Sequence, residues 1–299
     1  MSNLFSFPPS RSPSGFSPDV MGAAFYGYRR VWSERAYLAR LAFIPILMKF
    51  ASMVVVISFE YQDNFLRQGL IMLPASFAEG WLLAQFLRTL LMEERWPTIL
   101  PQKTDGPEMA RLILRAQGIV AATLVYVLIL LSEYVLRHWL FLMEGIASSQ
   151  AELANVQTGA KEASSAEGNP IMLIPAVLLL LGSIWAFRLM WLHVPFSVLM
   201  APREYLRNIA GFVTSIRMMA VFLASIVPLS FVAIMVPQGI ANLVGGTGLE
   251  DVGRFVIVFL SVAVQTVVGL VTVAAMAFAM RGFLPKSPQA FADAEGKVK

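Results

Sequence analysis

Three polar residues lie inside long apolar runs, where ionisable and amide side chains are uncommon. Lys49 and Glu79 interrupt the first two runs, and Gln265 lies within the last one. Hydrocarbon does not solvate such groups, so they pair with one another, bind an ion or substrate, or change protonation state. These three residues form the candidate intramembrane polar site, and the chemistry that they indicate is the handling of protons, ions or small solutes.

Lys49 and Glu79 are predicted to lie at the same depth. The midpoint of their numbers is Asn64, in the middle of the connection 60–69 between the first two apolar runs. In an antiparallel hairpin, residues equally far from the turn are level. Numbering does not tell whether the two side chains face each other, so both arrangements stay open. A contacting pair would either fix the register of the hairpin or form a gated proton or substrate site.

Motifs for bond-making chemistry were sought in the rest of the sequence. The chain has no cysteine and two histidines, His138 and His193, which leaves little for thiolate or metal chemistry. We find no paired aspartates within the apolar runs, no serine nucleophile turn and no HExxH, and the GGTG at 245–248 lacks the lysine of a phosphate-binding loop. We therefore predict a non-enzymatic protein with no catalytic, cofactor or metal residues. His193 is expected to bond to backbone or water.

The composition is that of an integral membrane protein. Hydrophobic residues make up 57% of the 299 residues and charged residues 14%, and the mean hydropathy is +0.67. A helix needs about 20 apolar residues to cross the hydrocarbon core. The sequence predicts an all-α bundle of six transmembrane helices arranged as three hairpins, at about 41–59, 70–92, 116–136, 171–193, 218–236 and 255–280.

The distribution of basic residues predicts the orientation. The segments 11–40, 95–115, 188–217 and 281–299 hold most of the 23 Lys and Arg residues. Cytoplasmic segments retain such residues, so both termini are expected in the cytoplasm. For the same reason nucleic acid is not expected as a partner.

The segments outside the bundle are predicted as follows. Residues 1–24 form a disordered N-terminal tail, 25–285 the transmembrane domain, and 286–299 a C-terminal tail. The segment 144–170 forms a mobile external loop.

Basic amphipathic segments at 28–40, 108–117 and 201–217 precede the odd-numbered spans. In the third, an apolar stripe predicts one helix on the inner membrane surface; the stripe consists of Leu206, Ile209, Val213 and Ile216. Four arginines near the inner boundary are the candidate contacts with anionic headgroups, because long cationic side chains extend toward the interface: Arg88, Arg188, Arg203 and Arg207.

Three stretches resemble a known group of proteins. They are YRRVWSERAYLARLAFIPILM at 28–48, FLRTLLMEERWP at 86–97 and AFRLMWLHVPFSVLMAP at 186–202. They are similar to a broad group of uncharacterised bacterial six-span inner-membrane proteins, the YciC-like kind, over about residues 24–285. The resemblance implies the bacterial cytoplasmic membrane and six helices, and it brings no activity or site residues.

Two classes of function remain open. The favoured one is a non-enzymatic protein that supports, assembles or regulates envelope components, with the lipid bilayer and a membrane-protein partner or a second copy as its contacts. The alternative is a small-solute or ion transporter or channel that uses Lys49, Glu79 and Gln265, with helix-kinking prolines available.

Overall fold

A computed structural model describes residues 18–96, 106–158, 170–246, 248 and 250–284, and this part of the chain is all-α. The helices, in chain order, are α1 (Val20–Ser33), α2 (Arg35–Ser58), α3 (Phe65–Met92), α4 (Pro107–Thr158), α5 (Pro170–Ala186), α6 (His193–Ser197), α7 (Pro202–Asn208), α8 (Phe212–Val244) and α9 (Glu250–Met280). Short 3₁₀ segments lie at Tyr61–Asp63 and Phe187–Trp191.

Five helices are long and apolar enough to cross a membrane. They are α2, α3, the Glu108–Met143 part of α4, α8 and α9. Much of their apolar surface is exposed in the protein itself: Leu128 on α4 is 64% exposed and Phe231 on α8 is 64% exposed. Long apolar helices with exposed apolar faces are those of a multi-pass membrane protein. The predicted all-α membrane class is therefore confirmed at this level.

The predicted fourth span, 171–193, is not a single helix. Helix α5 has 17 residues and ends at Ala186, and the chain continues as the 3₁₀ segment and then as α6. Pro195 has no N–H to donate to the carbonyl of Trp191, so an uninterrupted helix through this region would lose a hydrogen bond. Within the described residues, five helices are thus long and apolar enough to span a membrane, and a sixth uninterrupted one is not shown.

The first two basic segments are helical, as predicted: residues 28–40 divide between α1 and α2, and 108–117 form the start of α4. The third differs from the prediction. In 201–217, α7 ends at Asn208 and α8 begins at Phe212 after Gly211, so the four stripe residues do not share one helix face. Ile209 is fully buried, whereas Val213 is 58% exposed. The prediction of one surface helix over 201–217 is wrong because the helix is interrupted between Asn208 and Phe212, which separates the two halves of the stripe.

Two predicted irregular segments contain helix. Helix α1 begins at Val20, within the predicted N-terminal tail, and Asp19 caps it by accepting from the Gly22 N–H. Helix α4 has 52 residues and continues to Thr158, so the first part of the predicted mobile loop 144–170 is helical. Residues 1–17, 159–169 and 285–299 lie outside the described residues.

The contacts between helices show which of the predicted hairpins form. Helices α2 and α3 pack together, as do α8 and α9, which matches two of the predicted hairpins, and α9 also packs against α1, α2 and α3. The second predicted hairpin, formed by the spans 116–136 and 171–193, does not form in this way, since α4 packs against α3 and α6 while α5 packs against α8 and the 3₁₀ segment Phe187–Trp191. Burial concentrates at one end of the bundle, formed by 82–92 of α3, 191–198 and 270–280 of α9. We name this region the packed end.

Candidate functional site

Lys49 and Glu79 form an ion pair between α2 and α3. The Lys49 ammonium donates to both carboxylate oxygens of Glu79, and Nζ lies 3.0 Å from Oε1 and from Oε2. The side chains are 14% and 9% exposed. The level placement predicted from the numbering is confirmed, and the question of whether the two side chains face each other is answered by a direct contact.

A tyrosine extends the pair toward α4. The side chain of Tyr126 lies near the Glu79 carboxylate, to which a phenol hydroxyl could only donate. Gly80 permits this approach, because a Cβ there would lie 3.0 Å from Cδ1 of Tyr126 and 3.2 Å from the Thr123 methyl group. On the other side, a Cβ at Gly269 of α9 would lie 3.9 Å from Oε1 of Glu79. Three helices therefore approach the carboxylate.

His193 lies beyond Tyr126. Their ring centroids are 5.5 Å apart in an edge contact. Nδ1 of His193 lies 3.1 Å from the carbonyl oxygen of Met190, and since a carbonyl only accepts, Nδ1 carries the proton of the neutral ring. The backbone bond expected for His193 is confirmed. Nε2 is then left as a buried acceptor. Lys49, Glu79, Tyr126 and His193 form a line from α2 to α6, which we name the polar track.

Three buried polar atoms around the inner part of the track have no hydrogen-bond partner in the described protein. They are Oγ1 of Thr123, Nε1 of Trp191 and Nε2 of His193. The rings of Trp191 and His193 lie 5.9 Å apart, and Thr123 is one helical turn before Tyr126. Most buried polar atoms in proteins are bonded to protein or to ordered water, so these three atoms are places where water or another small polar molecule can bind. These atoms can donate to and accept from a small polar guest.

Gln265 is separate from this arrangement. It is exposed on α9, and the described structure gives it no hydrogen bond to Lys49 or Glu79. The structure thus brings together two of the three candidate residues and adds Tyr126, which sequence reasoning missed. A hydroxyl-bearing aromatic within the apolar run 116–136 was the available signal.

Arg88 is a structural cation of the packed end rather than a headgroup contact. It is 3% exposed. Its Nε donates to Glu94 at 2.7 Å and its NH1 to the carbonyl of Ser197 at 2.7 Å. Arg115 of α4 lies 3.5 Å from the same Glu94 oxygen and donates to Gln85. We name Arg88, Glu94 and Arg115 the arginine clasp, because they join α3, α4 and α6 on one side of the polar track.

The other three candidate arginines lie along the connection from α5 to α8. Arg188 is 6% exposed and donates to the carbonyl of Ile209 at 2.9 Å, so its side chain does not extend freely to the interface as predicted. Arg203 and Arg207 are exposed on α7. Tyr205 between them is buried, its hydroxyl donates to the Arg188 carbonyl, and burial raises the pKa of its phenol.

Comparison with known proteins adds no functional assignment. No family model matches the chain, and neither a curated protein nor a solved structure is similar to it. Within the described residues, no group of three or more His, Asp or Glu side chains is placed to hold a metal ion. The inference of function therefore starts from the geometry of the polar track.

Proposed function

We propose that the protein crosses the bacterial cytoplasmic membrane six times. Five crossings are the five long helices, and the remaining one, fourth along the chain, is supplied by α5 together with the 3₁₀ segment Phe187–Trp191. Seventeen α-helical residues rise about 25 Å, and five 3₁₀ residues add about 10 Å. Their combined length exceeds the roughly 30 Å of a hydrocarbon core. The positive-inside distribution then places both termini and the packed end on the cytoplasmic side.

Single cysteines test this topology on the cysteine-free background. Ser149→Cys on the extension of α4 is expected to react with an impermeant thiol reagent in intact cells, whereas Ser287→Cys is expected to react only after permeabilisation. Labelling of Ser287→Cys alone in intact cells would reverse the orientation.

We further propose that the protein is an ion or small-solute transporter or channel in which Glu79 handles a proton. The observation that carries this proposal is the polar track: a buried Lys–Glu pair beside a tyrosine whose ring contacts a buried histidine with Nε2 as an acceptor. A pair needed only to fix the register of a hairpin would not require the last two groups. Intramembrane ionisable groups in proton relays are arranged in such lines.

The packing around the track favours access from one side. On the cytoplasmic side, the arginine clasp and the close approach of Gly118 to Ser197, where a Cβ would lie 2.7 Å from the carbonyl oxygen, close the bundle. Access to Glu79 is therefore proposed from the opposite, outer side of the membrane.

The test compares proton entry into proteoliposomes that contain a pH-sensitive dye, under an imposed potassium diffusion potential. Wild-type protein is expected to carry protons faster than Glu79→Gln and Tyr126→Phe, and Gln265→Leu is the matched control with wild-type flux. Wild-type flux equal to that of protein-free liposomes and of Glu79→Gln would refute the proton-handling function. In cells, a folded Lys49→Met, Glu79→Leu double variant should fail to complement a deletion strain, and full complementation would leave the pair a structural role.

The second candidate is a protein that supports, assembles or regulates envelope components. It is favoured by the separation of α4 from α5, which leaves apolar faces on both helices without a helix packed against them; Leu128 and Leu178 are 64% and 63% exposed. A photo-crosslinking residue at position 178 should then capture a defined membrane protein, with position 231 as the control on α8. Crosslinks to lipid alone at both positions would count against this candidate.

A further inference from the structure

We propose that the connection from α5 to α8 binds the phosphate of an anionic phospholipid, with an acyl chain lying along α5. The inference goes beyond the transport function and rests on the proposed topology, which places this connection in the cytoplasmic leaflet. The ligand is identified by two adjoining features, a basic surface and an exposed apolar stripe that leads to it.

The basic surface is the stretch from 187 to 217. It holds four arginines and one acidic residue, Glu204. Arg203 and Arg207 are one helical turn apart on α7 and both are exposed, with Glu204 exposed beside them. Within the described residues neither arginine is in an ion pair, so the surface keeps a net positive charge. Each Lys or Arg close to an anionic leaflet contributes about 1 kcal/mol of attraction.

Arg188 lies beneath this surface as a buried cation. It is 6% exposed, and no carboxylate forms an ion pair with it in the part of the chain that the structure describes. Its guanidinium is held by the carbonyl of Ile209 and by the face of Trp185, 4.2 Å from the ring centroid, and its Nε has no hydrogen-bond partner. Carbonyl dipoles and a ring face compensate a buried guanidinium only in part. A phosphate group nearby would supply the missing negative charge.

The apolar stripe runs along α5 to the same arginine. Leu178, Leu181 and Trp185 follow i, i+3, i+7 spacing, which places them on one helix face. They are 63%, 44% and 48% exposed. Arg188 follows three residues after Trp185, so the stripe ends at the cation. Tryptophan occurs at the boundary between hydrocarbon and headgroups, which is the depth at which an acyl chain joins its phosphate.

The apolar stripe ends directly at Arg188, and this arrangement favours a phospholipid over a free phosphate ion. A soluble anion would use the arginines and leave the stripe without a role. An anionic phospholipid uses both, because its acyl chain lies beside Leu178 and Leu181 while its phosphate reaches the region of Arg188, Arg203 and Arg207.

The test reconstitutes the full chain in nanodiscs of phosphatidylcholine with one-fifth phosphatidylglycerol and measures by native mass spectrometry which lipid stays bound. Wild-type protein is expected to retain phosphatidylglycerol in excess of its bulk fraction. Removing the exposed charges singly, as Arg203→Gln or Arg207→Gln, should lower that excess about fivefold each. Trp185→Ala and Arg188→Gln should lower it as well.

Arg254→Gln is the matched control, because it removes an exposed arginine at the opposite end of the bundle, and it should leave the retained lipid unchanged. Arg188→Gln is the variant at risk of misfolding, and the two surface variants keep the test decisive without it. Equal retention of the two lipids by wild-type protein, or equal losses in Arg254→Gln and Arg203→Gln, would overturn the proposal. Competition by inorganic phosphate in discs that show no lipid preference would assign the site to a soluble anion and overturn it too.

Discussion

Removal of one partner of the Lys49–Glu79 pair should destabilise the protein far more than removal of both. With both N–O distances at 3.0 Å, the Coulomb attraction at an effective dielectric constant near 20 is about 5 kcal/mol before the cost of desolvation is subtracted. A single truncation leaves a charge that costs about 3 kcal/mol at the bilayer centre, or that becomes neutral at similar cost. Lys49→Met and Glu79→Leu are therefore expected to lower the free energy of unfolding by about 2–4 kcal/mol each.

The double variant Lys49→Met, Glu79→Leu buries no charge and should lie within about 1 kcal/mol of wild type, because an apolar replacement of a buried pair is often neutral. The coupling energy from the cycle is then at least about 3 kcal/mol. Equilibrium unfolding by a denaturing detergent in mixed micelles measures the four proteins. The charge swap Lys49→Glu, Glu79→Lys should likewise recover part of the loss of its two single variants.

The exposed pair Glu133–Arg137, one turn apart on α4, provides the matched control. The same cycle there should give a coupling below about 0.5 kcal/mol. If the Lys49–Glu79 double variant is as unstable as the sum of its single variants, the two side chains contribute no mutual stabilisation and the assigned contact is wrong.

Three other variants report on the packing and on the packed end. Gly80→Val should lower the unfolding midpoint by an amount equivalent to about 1–3 kcal/mol, because its side chain would overlap Tyr126 of α4. The control Gly182→Ala should not lower the midpoint, because the space around its Cβ is open. Thermal unfolding followed by size-exclusion chromatography compares the two variants. Tyr205→Phe should remove a pH dependence of stability, because burial raises the pKa of this phenol. The contribution of Tyr205 to the free energy of unfolding is complete below the unfolded pKa near 10 and is lost as pH rises above it. From pH 8 to 11, the free energy of unfolding should therefore fall more for wild type than for Tyr205→Phe. Glu94→Gln should cost about 3–5 kcal/mol, since it leaves the two guanidiniums of the arginine clasp without their shared carboxylate; a loss below 1 kcal/mol in detergent unfolding would contradict the clasp.

Composition and apolar run length were sufficient to predict the membrane class and the approximate positions of five long helices. The level placement of Lys49 and Glu79 followed from their equal distance to Asn64, since α2 and α3 are each one continuous helix and the connection between them is short. The relative depth of two residues in an antiparallel hairpin depends only on how many residues separate each of them from the turn, and this number is read directly from the sequence.

The failures occurred where tertiary contacts override local pattern. The stripe over 201–217 has correct helical spacing, yet Ile209 belongs to the core because its carbonyl accepts from Arg188, 21 residues earlier. Arg88 has the spacing of a headgroup contact, but its partner is the carbonyl of Ser197, 109 residues later. The close approach of Tyr126 to α3 beside Glu79 requires a glycine at position 80. A single glycine within an apolar run does not reveal which helix packs against it.

The length of α4 gives small rearrangements at the ion pair a large reach. From Thr123, where the helix crosses Gly80, to its end at Thr158, an α-helix rises about 52 Å. An α-helix of this length transmits a change of tilt beside Glu79 to its far end. A tilt of about 10° there would move the end at Thr158 through roughly 9 Å, so a small rearrangement at the ion pair would displace the distant end of α4 by several ångströms.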